Sequence, residues 1–169
     1  MTSFGKTSVN TIRMVTYKSV NTGEIVCLNA VLRMGRNGSE TDNACQGGSY
    51  VGINIDDGSL GKYAINDAAL VQNIFNDIDF AIKSYKIPVW EEVKSLARLV
   101  HSRIHHHNLV AMDIAITDDG LPKLIEVNIG AFTANLFQLT VKPTFGEYTD
   151  EIMDYCFERY KQYYPTVTY

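Results

Sequence analysis

Residues 109–129 of the chain have the sequence LVAMDIAITDDGLPKLIEVNI. Two largely apolar runs, Leu109–Ile116 and residues 121–129, lie on either side of the pair Asp119-Gly120. An Asp-Gly pair between two such runs is a strong signal for a two-residue turn, because both residues tolerate the positive φ angles that the turn requires. The sequence therefore predicts an antiparallel β-hairpin in this part of the chain.

The turn determines which side chains of this hairpin face each other. If Asp119 and Gly120 are the two turn residues, counting back along both strands pairs Asp113 with Glu126. Because side chains alternate across a strand, Asn128 lies on the same face as Glu126. The opposite face carries the apolar residues expected in the core, which are Met112, Ile114, Ile116, Ile125 and Val127.

Like charges directly opposite each other on paired strands repel. The local sequence around Asp113 and Glu126 supplies no positive charge, so neutralising either carboxylate is expected to stabilise the fold unless a cation lies between them. Two carboxylates and the amide oxygen of Asn128 are hard oxygen donors that suit Mg²⁺. The alternative interpretation is an outer sheet face whose carboxylates simply point into water.

An upstream hairpin carries two arginines. It consists of residues 11–20, the turn Asn21-Thr22-Gly23 and the run Ile25–Met34. A three-residue loop pairs Arg13 with Val31 and puts Arg33 on the same face, where the two guanidinium groups can converge on one anion. A two-residue loop would place the arginines on opposite faces.

The segment between the two hairpins is less regular. Residues 35–48 form a polar, glycine-rich loop, and long loops in compact domains are commonly functional. Residues 51–56, the turn Asp57-Gly58 and residues 60–65 predict a further hairpin. Residues 66–87 fit a helix and an extended chain equally well, so their structure is left open.

Helices are predicted after this segment and at the end of the chain. Apolar positions three and four residues apart predict a helix over residues 90–104. A second helix is predicted over residues 149–163, with Thr149 as its N-cap. Its expected buried face consists of Ile152, Tyr155, Cys156 and Tyr160. The predicted fold class is α+β, an antiparallel sheet with helices packed on one face. We expect a polar lead-in over residues 1–10, one domain over residues 11–163 and a tail over residues 164–169.

Composition narrows the class of protein. The 169 residues are 46% hydrophobic and 20% charged, with a mean hydropathy of −0.08, which excludes a disordered or fibrous chain. The 15 basic residues do not gather into runs and the net charge is −4, so the chain lacks the electrostatic signature of nucleic-acid binding. Three cysteines without C-x-x-C spacing fit a reducing compartment, and no window approaches the roughly 18 apolar residues of a membrane span. We expect a cytoplasmic protein.

Several motifs follow one another in a characteristic order: TIR at 11–13, LR at 32–33, GSETDN at 38–43, GG at 47–48, MDI at 112–114 and IEVN at 125–128. This order resembles the carboxy-terminal half of an ATP-grasp ligase. The chain is similar to prokaryotic glutathione synthetase and to the ligases that add glutamate to ribosomal protein. Its opening SVNTIR at 8–13 most resembles the ATP-grasp branch associated with sugar transfer and cell-surface polysaccharide synthesis.

The resemblance implies roles for the charged residues of both hairpins. Asp113, Glu126 and Asn128 would hold the Mg²⁺ ions that bridge the ATP phosphates. Arg13 and Arg33 would be the catalytic residues that steady the γ-phosphate and the acyl phosphate formed from a substrate carboxylate. Metal ions and guanidinium groups together supply the positioning and charge neutralisation that phosphoryl transfer needs.

The resemblance also implies a binding loop and a function. Asn43, Gly47 and Gly48 would shape the substrate side of the site. The implied function is ATP- and Mg²⁺-dependent carboxylate–amine ligation in cell-surface polysaccharide or peptide modification, with a small-molecule or glycan-linked carboxylate as substrate. The amino-terminal ATP-grasp subdomain should precede residue 10, so we expect the isolated chain to be inactive and to require that subdomain or a second copy as partner. The alternative is a non-catalytic phosphate- or partner-binding half-domain, or a truncated fragment of the ligase.

Overall fold

A computed structural model describes residues 10–36, 47–130 and 134–163 of the chain. In chain order the strands are β1 (Thr11–Lys18), β2 (Ile25–Met34), β3 (Ser49–Ile53), β4 (Ala64–Ile65), β5 (Val71–Gln72), β6 (Ile74–Phe75), β7 (Ile78–Asp79), β8 (Leu109–Ile116) and β9 (Pro122–Asn128). The helices are α1 (Trp90–Ser102), α2 (Asn135–Thr140) and α3 (Thr149–Tyr163), with a 3₁₀ turn over Gly146–Tyr148.

Seven strands form one sheet in the order β5-β4-β3-β2-β1-β8-β9. Every neighbouring pair in this sheet is antiparallel, and β6 and β7 form a separate small hairpin. The predicted α+β class with an antiparallel sheet is therefore confirmed. The predicted hairpins around β1–β2 and β8–β9 and both long helices are present, although α1 ends two residues earlier than predicted.

The sheet buries both of its faces, so the helices do not lie on one side as predicted. One face packs the apolar residues of β1, β2 and β8 against Trp90, Val93 and Ala97 of α1. The other face packs against Leu136 and Phe137 of α2, with the start of α3 beside them. The physical reason is that residues on both sides of the central strands are apolar, and a sheet of this kind needs cover on both faces.

The segment left open by the sequence is extended rather than helical. Between residues 66 and 87 the described chain forms β5, β6 and β7, each two residues long. The hairpin predicted over residues 51–65 is present but less regular, because its first strand ends at Ile53 and its return is reduced to an isolated bridge at Leu60 and the short β4.

The turn of the β8–β9 hairpin is one residue longer than predicted. Thr117 donates its amide to Leu121, which leaves residues 118–120 as a three-residue loop. A β-bulge at Ile125 then absorbs one residue, and beyond it Asp113 faces Glu126 as predicted. Ile125 itself is 54% exposed, so its predicted place in the core is wrong, because the bulge turns it outward and Leu124 packs inward instead.

The β1–β2 hairpin likewise has a longer loop than predicted and a β-bulge that compensates for it. Ser19 donates its amide to Glu24, so four residues form the loop instead of the predicted three. A bulge at Leu28 restores the register, and Arg13 pairs with Val31 as predicted. The arginines at positions 13 and 33 therefore lie on one face of the sheet.

Helix α3 differs from prediction in its exposed side chains. Cys156 is exposed and Tyr160 is 38% exposed, so these two residues are not part of a buried face. Thr149 does not act as an N-cap, because it is already helical and its hydroxyl donates backward to the carbonyl of Gly146. None of the helices in the described part of the chain is both long and apolar enough to cross a membrane.

Buried His101 joins α1 to the sheet. Its Nε2 donates to the carbonyl oxygen of His107 at 3.0 Å, which leaves Nδ1 to accept from the Thr16 hydroxyl at 2.7 Å. Burial lowers the pKa of His101 below its ordinary value of 6.5, while the hydrogen bond to His107 acts in the opposite direction. The fold therefore favours the neutral imidazole.

Candidate functional site

A cluster of three charged residues lies on the sheet face that α2 and α3 cover. Arg13 donates from Nε and Nη2 to the two carboxylate oxygens of Asp113, at 2.8 and 2.7 Å. Arg33 donates from Nη1 to Oδ2 of the same carboxylate at 2.8 Å. The side chains of Asp113, Arg33 and Arg13 are only 5%, 13% and 16% exposed. One carboxylate thus fixes two guanidinium groups in a largely buried position.

The strand order brings these residues together. β1 lies between β2 and β8, and its register sets Arg13 directly opposite Asp113. Arg33 lies on β2 opposite Thr11, two positions from the pair formed by Arg13 and Val31. The convergence of the two arginines that the sequence predicted is confirmed, with a carboxylate of the protein at the point of convergence.

Sequence reasoning missed these ion pairs. The positive charge near Asp113 comes from β1 and β2, so the apposition of Asp113 and Glu126 does not by itself require a metal ion. One sequence signal pointed to the contact, because Arg13 and Asp113 are each the single charged residue in an otherwise uncharged strand interior. Buried charges of opposite sign are rarely left apart, since an unpaired buried charge is costly.

Glu126 and Asn128 lie next to this cluster at the edge of the sheet. Glu126 is exposed opposite Asp113, and Asn128 pairs with Ala111 on the same face. The Nδ2 atom of Asn128 is buried and has no hydrogen-bond partner among the described residues. Within residues 10–36, 47–130 and 134–163, no three His, Cys, Asp or Glu side chains form a ready-made metal cage. The assignment of Asp113, Glu126 and Asn128 to Mg²⁺ stays a prediction.

The predicted binding loop is described only in part, because Asn43 lies outside the described residues. Gly48 directly precedes β3, whose Tyr50 pairs with Arg33. Gly47, with φ at +87°, lines an open cavity of about 770 Å³ together with Arg36 and Asn76. The glycine turn therefore lies at the same end of the sheet as Arg33, beside a space large enough for a small substrate.

A second polar cluster holds the start of α3 against the sheet. One oxygen of Glu151 accepts from the Tyr17 hydroxyl, the Ser19 hydroxyl and the Val20 amide, each at 2.8 Å. Burial and the bond to Glu151 raise the pKa of Tyr17 to about 12. Although partial burial alone would raise the pKa of Glu151, these hydrogen bonds together lower it. The cluster is a structural anchor for the helix.

The fold and the charged cluster together indicate the class of protein to which the chain belongs. A fully antiparallel sheet with helices, carrying two largely buried arginines and one buried carboxylate on one face, is consistent with an α+β ATP-grasp-like domain. The chain belongs to the sugar-transfer associated ATP-grasp family, whose sequence profile matches residues 1–152. Searches of curated proteins and of solved structures found no match to the chain. Membership of the family indicates ATP-dependent, ligase-like chemistry in general.

Proposed function

We propose that the protein contributes the metal- and phosphate-handling half of an ATP- and Mg²⁺-dependent carboxylate–amine ligase. The observation that carries this proposal is the cluster of Arg13, Arg33 and Asp113 on the same sheet face as Glu126. Two guanidinium groups held rigidly beside acidic residues are suited to a polyphosphate that arrives with its cation.

Arg13 and Arg33 would neutralise charge on the transferring phosphoryl group. A substrate carboxylate attacks the γ-phosphorus of ATP, ADP leaves, and an amine then attacks the acyl phosphate and expels phosphate. Negative charge accumulates on the phosphoryl oxygens during the first step and on the carbonyl oxygen during the second. Because Asp113 holds both guanidinium groups in place, little reorganisation is needed when that charge develops.

The residues present suit Mg²⁺ by their chemistry. Glu126 and the amide oxygen of Asn128 are hard oxygen donors, and Asp113 would be the third ligand. The buried Nδ2 atom of Asn128, which lacks a partner among the described residues, would suit a phosphate oxygen as acceptor. When bound, Mg²⁺ would neutralise the triphosphate charge and align it with the arginines.

We further propose that the substrate is a small-molecule or glycan-linked carboxylate, as the sugar-transfer association of the family suggests. The cavity beside Gly47 supports this, because polar groups of Arg36, Asn66 and Asn76 line it together with apolar residues. The adenine would be clasped jointly with an amino-terminal ATP-grasp subdomain acting as a partner of this domain.

Calorimetric titration with ATP tests the proposal, with and without Mg²⁺. We expect binding to be tighter with Mg²⁺, and Glu126→Gln to remove that difference. Glu92→Gln is the matched control, because Glu92 is an exposed glutamate on α1, on the opposite side of the sheet. Retention of the full Mg²⁺ effect in Glu126→Gln would contradict the proposal.

A second candidate is a non-catalytic phosphate-binding half-domain. The observation that favours it is that both oxygens of Asp113 already accept hydrogen bonds from arginine. In that case inorganic phosphate and ATP would bind with affinities that Mg²⁺ does not alter, and Arg33→Met would weaken both. The same titration therefore distinguishes the two functions.

A further inference from the structure

Lys123 is a charged residue of β9 that has no role in the site described so far. It lies opposite Ala115 of β8, and its side chain is exposed. Because side chains alternate along a strand, Ala115 and Asp113 point to the same face of the sheet. Lys123, opposite Ala115, therefore lies on the face that carries Asp113 and its two arginines.

The β-bulge at Ile125 brings Glu126 to this face as well. In a regular strand, residues three positions apart point to opposite faces. Here the bulge absorbs one residue, so that Lys123 and Glu126 are only two ladder rows apart on one face. Since each row adds about 3.4 Å, their Cα atoms are about 7 Å apart. Bulges are frequent beside active sites, where they redirect a side chain.

The side chains of Lys123 and Glu126 are both available to a ligand. Each is exposed, and neither side chain makes a hydrogen bond or an ion pair with the residues that the structure describes. Asp113, in contrast, is already paired with two arginines. Lys123 is therefore a positive charge of this face that the protein itself, in its described part, does not neutralise.

Lys123 and Arg33 lie on opposite sides of the charged cluster. Each is displaced by two positions, towards the same end of the sheet, from the row that contains Arg13 and Asp113. The strands β1 and β8 lie between them. A ligand held beside Asp113 is thus flanked by a guanidinium group on one side and an ammonium group on the other. This arrangement suits an anion with several negative groups in a row, and a triphosphate is such an anion.

We propose that Lys123 is a phosphate-binding residue that holds the triphosphate of ATP on the side of the site opposite Arg33. This role, which rests on the proposed function, adds a third cationic side chain to the two arginines. A lysine acts on phosphate as a compact point charge, so its contribution depends on its charge and on ionic strength more than on a fixed geometry. Lys123→Arg should therefore retain binding, whereas Lys123→Gln should weaken it.

Calorimetric titration with inorganic triphosphate, with and without Mg²⁺, tests this role free of any contribution from adenine. We expect Lys123→Gln to weaken binding by about three- to tenfold at low ionic strength, and the difference to shrink as salt is added. Binding of inorganic phosphate should change less, because the arginines alone can hold it. Lys86→Gln is the matched control, since Lys86 is an exposed lysine near Trp90 on the α1 side of the sheet and its replacement changes the net charge equally.

The outcome for Lys123 can be separated from the outcome for the proposed function. If Glu126→Gln removes the effect of Mg²⁺ on ATP binding while Lys123→Gln binds triphosphate as the wild type does, the role of Lys123 is wrong and the function stands. If Lys123→Gln weakens triphosphate binding but Glu126→Gln leaves the effect of Mg²⁺ intact, Lys123 binds phosphate and the function is wrong. A wild-type chain that binds no triphosphate would overturn both.

A lysine on an edge strand can also prevent sheets from associating edge to edge, and β9 is an edge strand. Light scattering of Lys123→Gln tests this alternative. A rise in mass together with an unchanged affinity for triphosphate would assign Lys123 to protection of the edge and overturn the proposal. A monomer of unchanged melting temperature that binds triphosphate more weakly would support it, because a merely structural lysine would not change that affinity.

Discussion

Replacing Asp113 by asparagine preserves the size of the side chain but removes the charge that holds two arginines. The carboxylate accepts three hydrogen bonds of 2.7 to 2.8 Å from Arg13 and Arg33, and none of the three side chains is more than 16% exposed. In the variant an amide nitrogen would face a guanidinium group. Two largely buried positive charges would lose their counter-charge.

The expected loss of stability follows from this burial. Removing one partner of a buried ion pair costs about 3–5 kcal/mol. The arginines retain some contact with water, so we expect a loss at the lower end of this range, about 3 kcal/mol. For a domain of this size, that loss corresponds to a fall of roughly 6–12 °C in melting temperature. If repulsion between Asp113 and Glu126 were the only effect, the substitution would instead stabilise the fold by about 0.2–1 kcal/mol. The ion pairs therefore reverse the expectation drawn from the hairpin alone.

Urea denaturation followed by circular dichroism measures the effect. Glu126→Gln is the control, because Glu126 is exposed and its substitution should change stability by less than about 0.5 kcal/mol. In a double-mutant cycle with Arg33→Met, the double variant should lose less stability than the two single variants lose together, by about 0.5–3 kcal/mol. An Asp113→Asn variant as stable as the wild type would refute the reasoning.

Three other predictions follow from the structure. In the assembled enzyme, Arg13→Lys and Arg33→Lys should each lower kcat by about tenfold or more with little change in ATP affinity. The reason is that lysine keeps the charge of arginine but loses its planar guanidinium group. If steady-state kinetics show that only one variant is impaired, the two arginines do not share this role. Burial lowers the pKa of His101 in the folded state, so the unfolded chain takes up the proton first and stability should fall as the pH drops below about 6.5; denaturation at several pH values should show a weaker dependence for His101→Gln. Gly52→Ala should destabilise the fold by about 1–3 kcal/mol, because the added Cβ would overlap the carbonyl oxygen of Thr140. At Gly61 the atom nearest to an added Cβ is 3.5 Å away. Gly61→Ala, measured by the same denaturation, should therefore have a smaller effect.

Local sequence signals were sufficient for the two long helices, for the β1–β2 and β8–β9 hairpins and for the placing of Arg13 and Arg33 on one face. The spacing of apolar residues predicted α1 and α3, and the Asp119-Gly120 pair predicted the β8–β9 hairpin. The contact between Arg13 and Asp113 could not be obtained in this way, because 100 residues separate them and strand order is a property of the whole sheet. Counting along hairpins predicts neighbours within a hairpin, but it cannot tell which hairpins lie side by side.

The two β-bulges show what sets the register at the site. With a two-residue turn, the alternation of β9 would have placed Lys123 on the core face and Leu124 outside. In the structure the loop is one residue longer, so that Leu124 packs inward and Lys123 is exposed. The bulge at Ile125 then places Val127 in the core and Glu126 on the face that carries Asp113. The unfavourable position of Lys123 was therefore a readable signal for the bulge. In β2 the bulge at Leu28 has the corresponding effect, with Cys27 packing on the α1 face and Val26 on the other. The charged residues are thus positioned by burial of the apolar side chains around them, and the type of turn follows from that requirement.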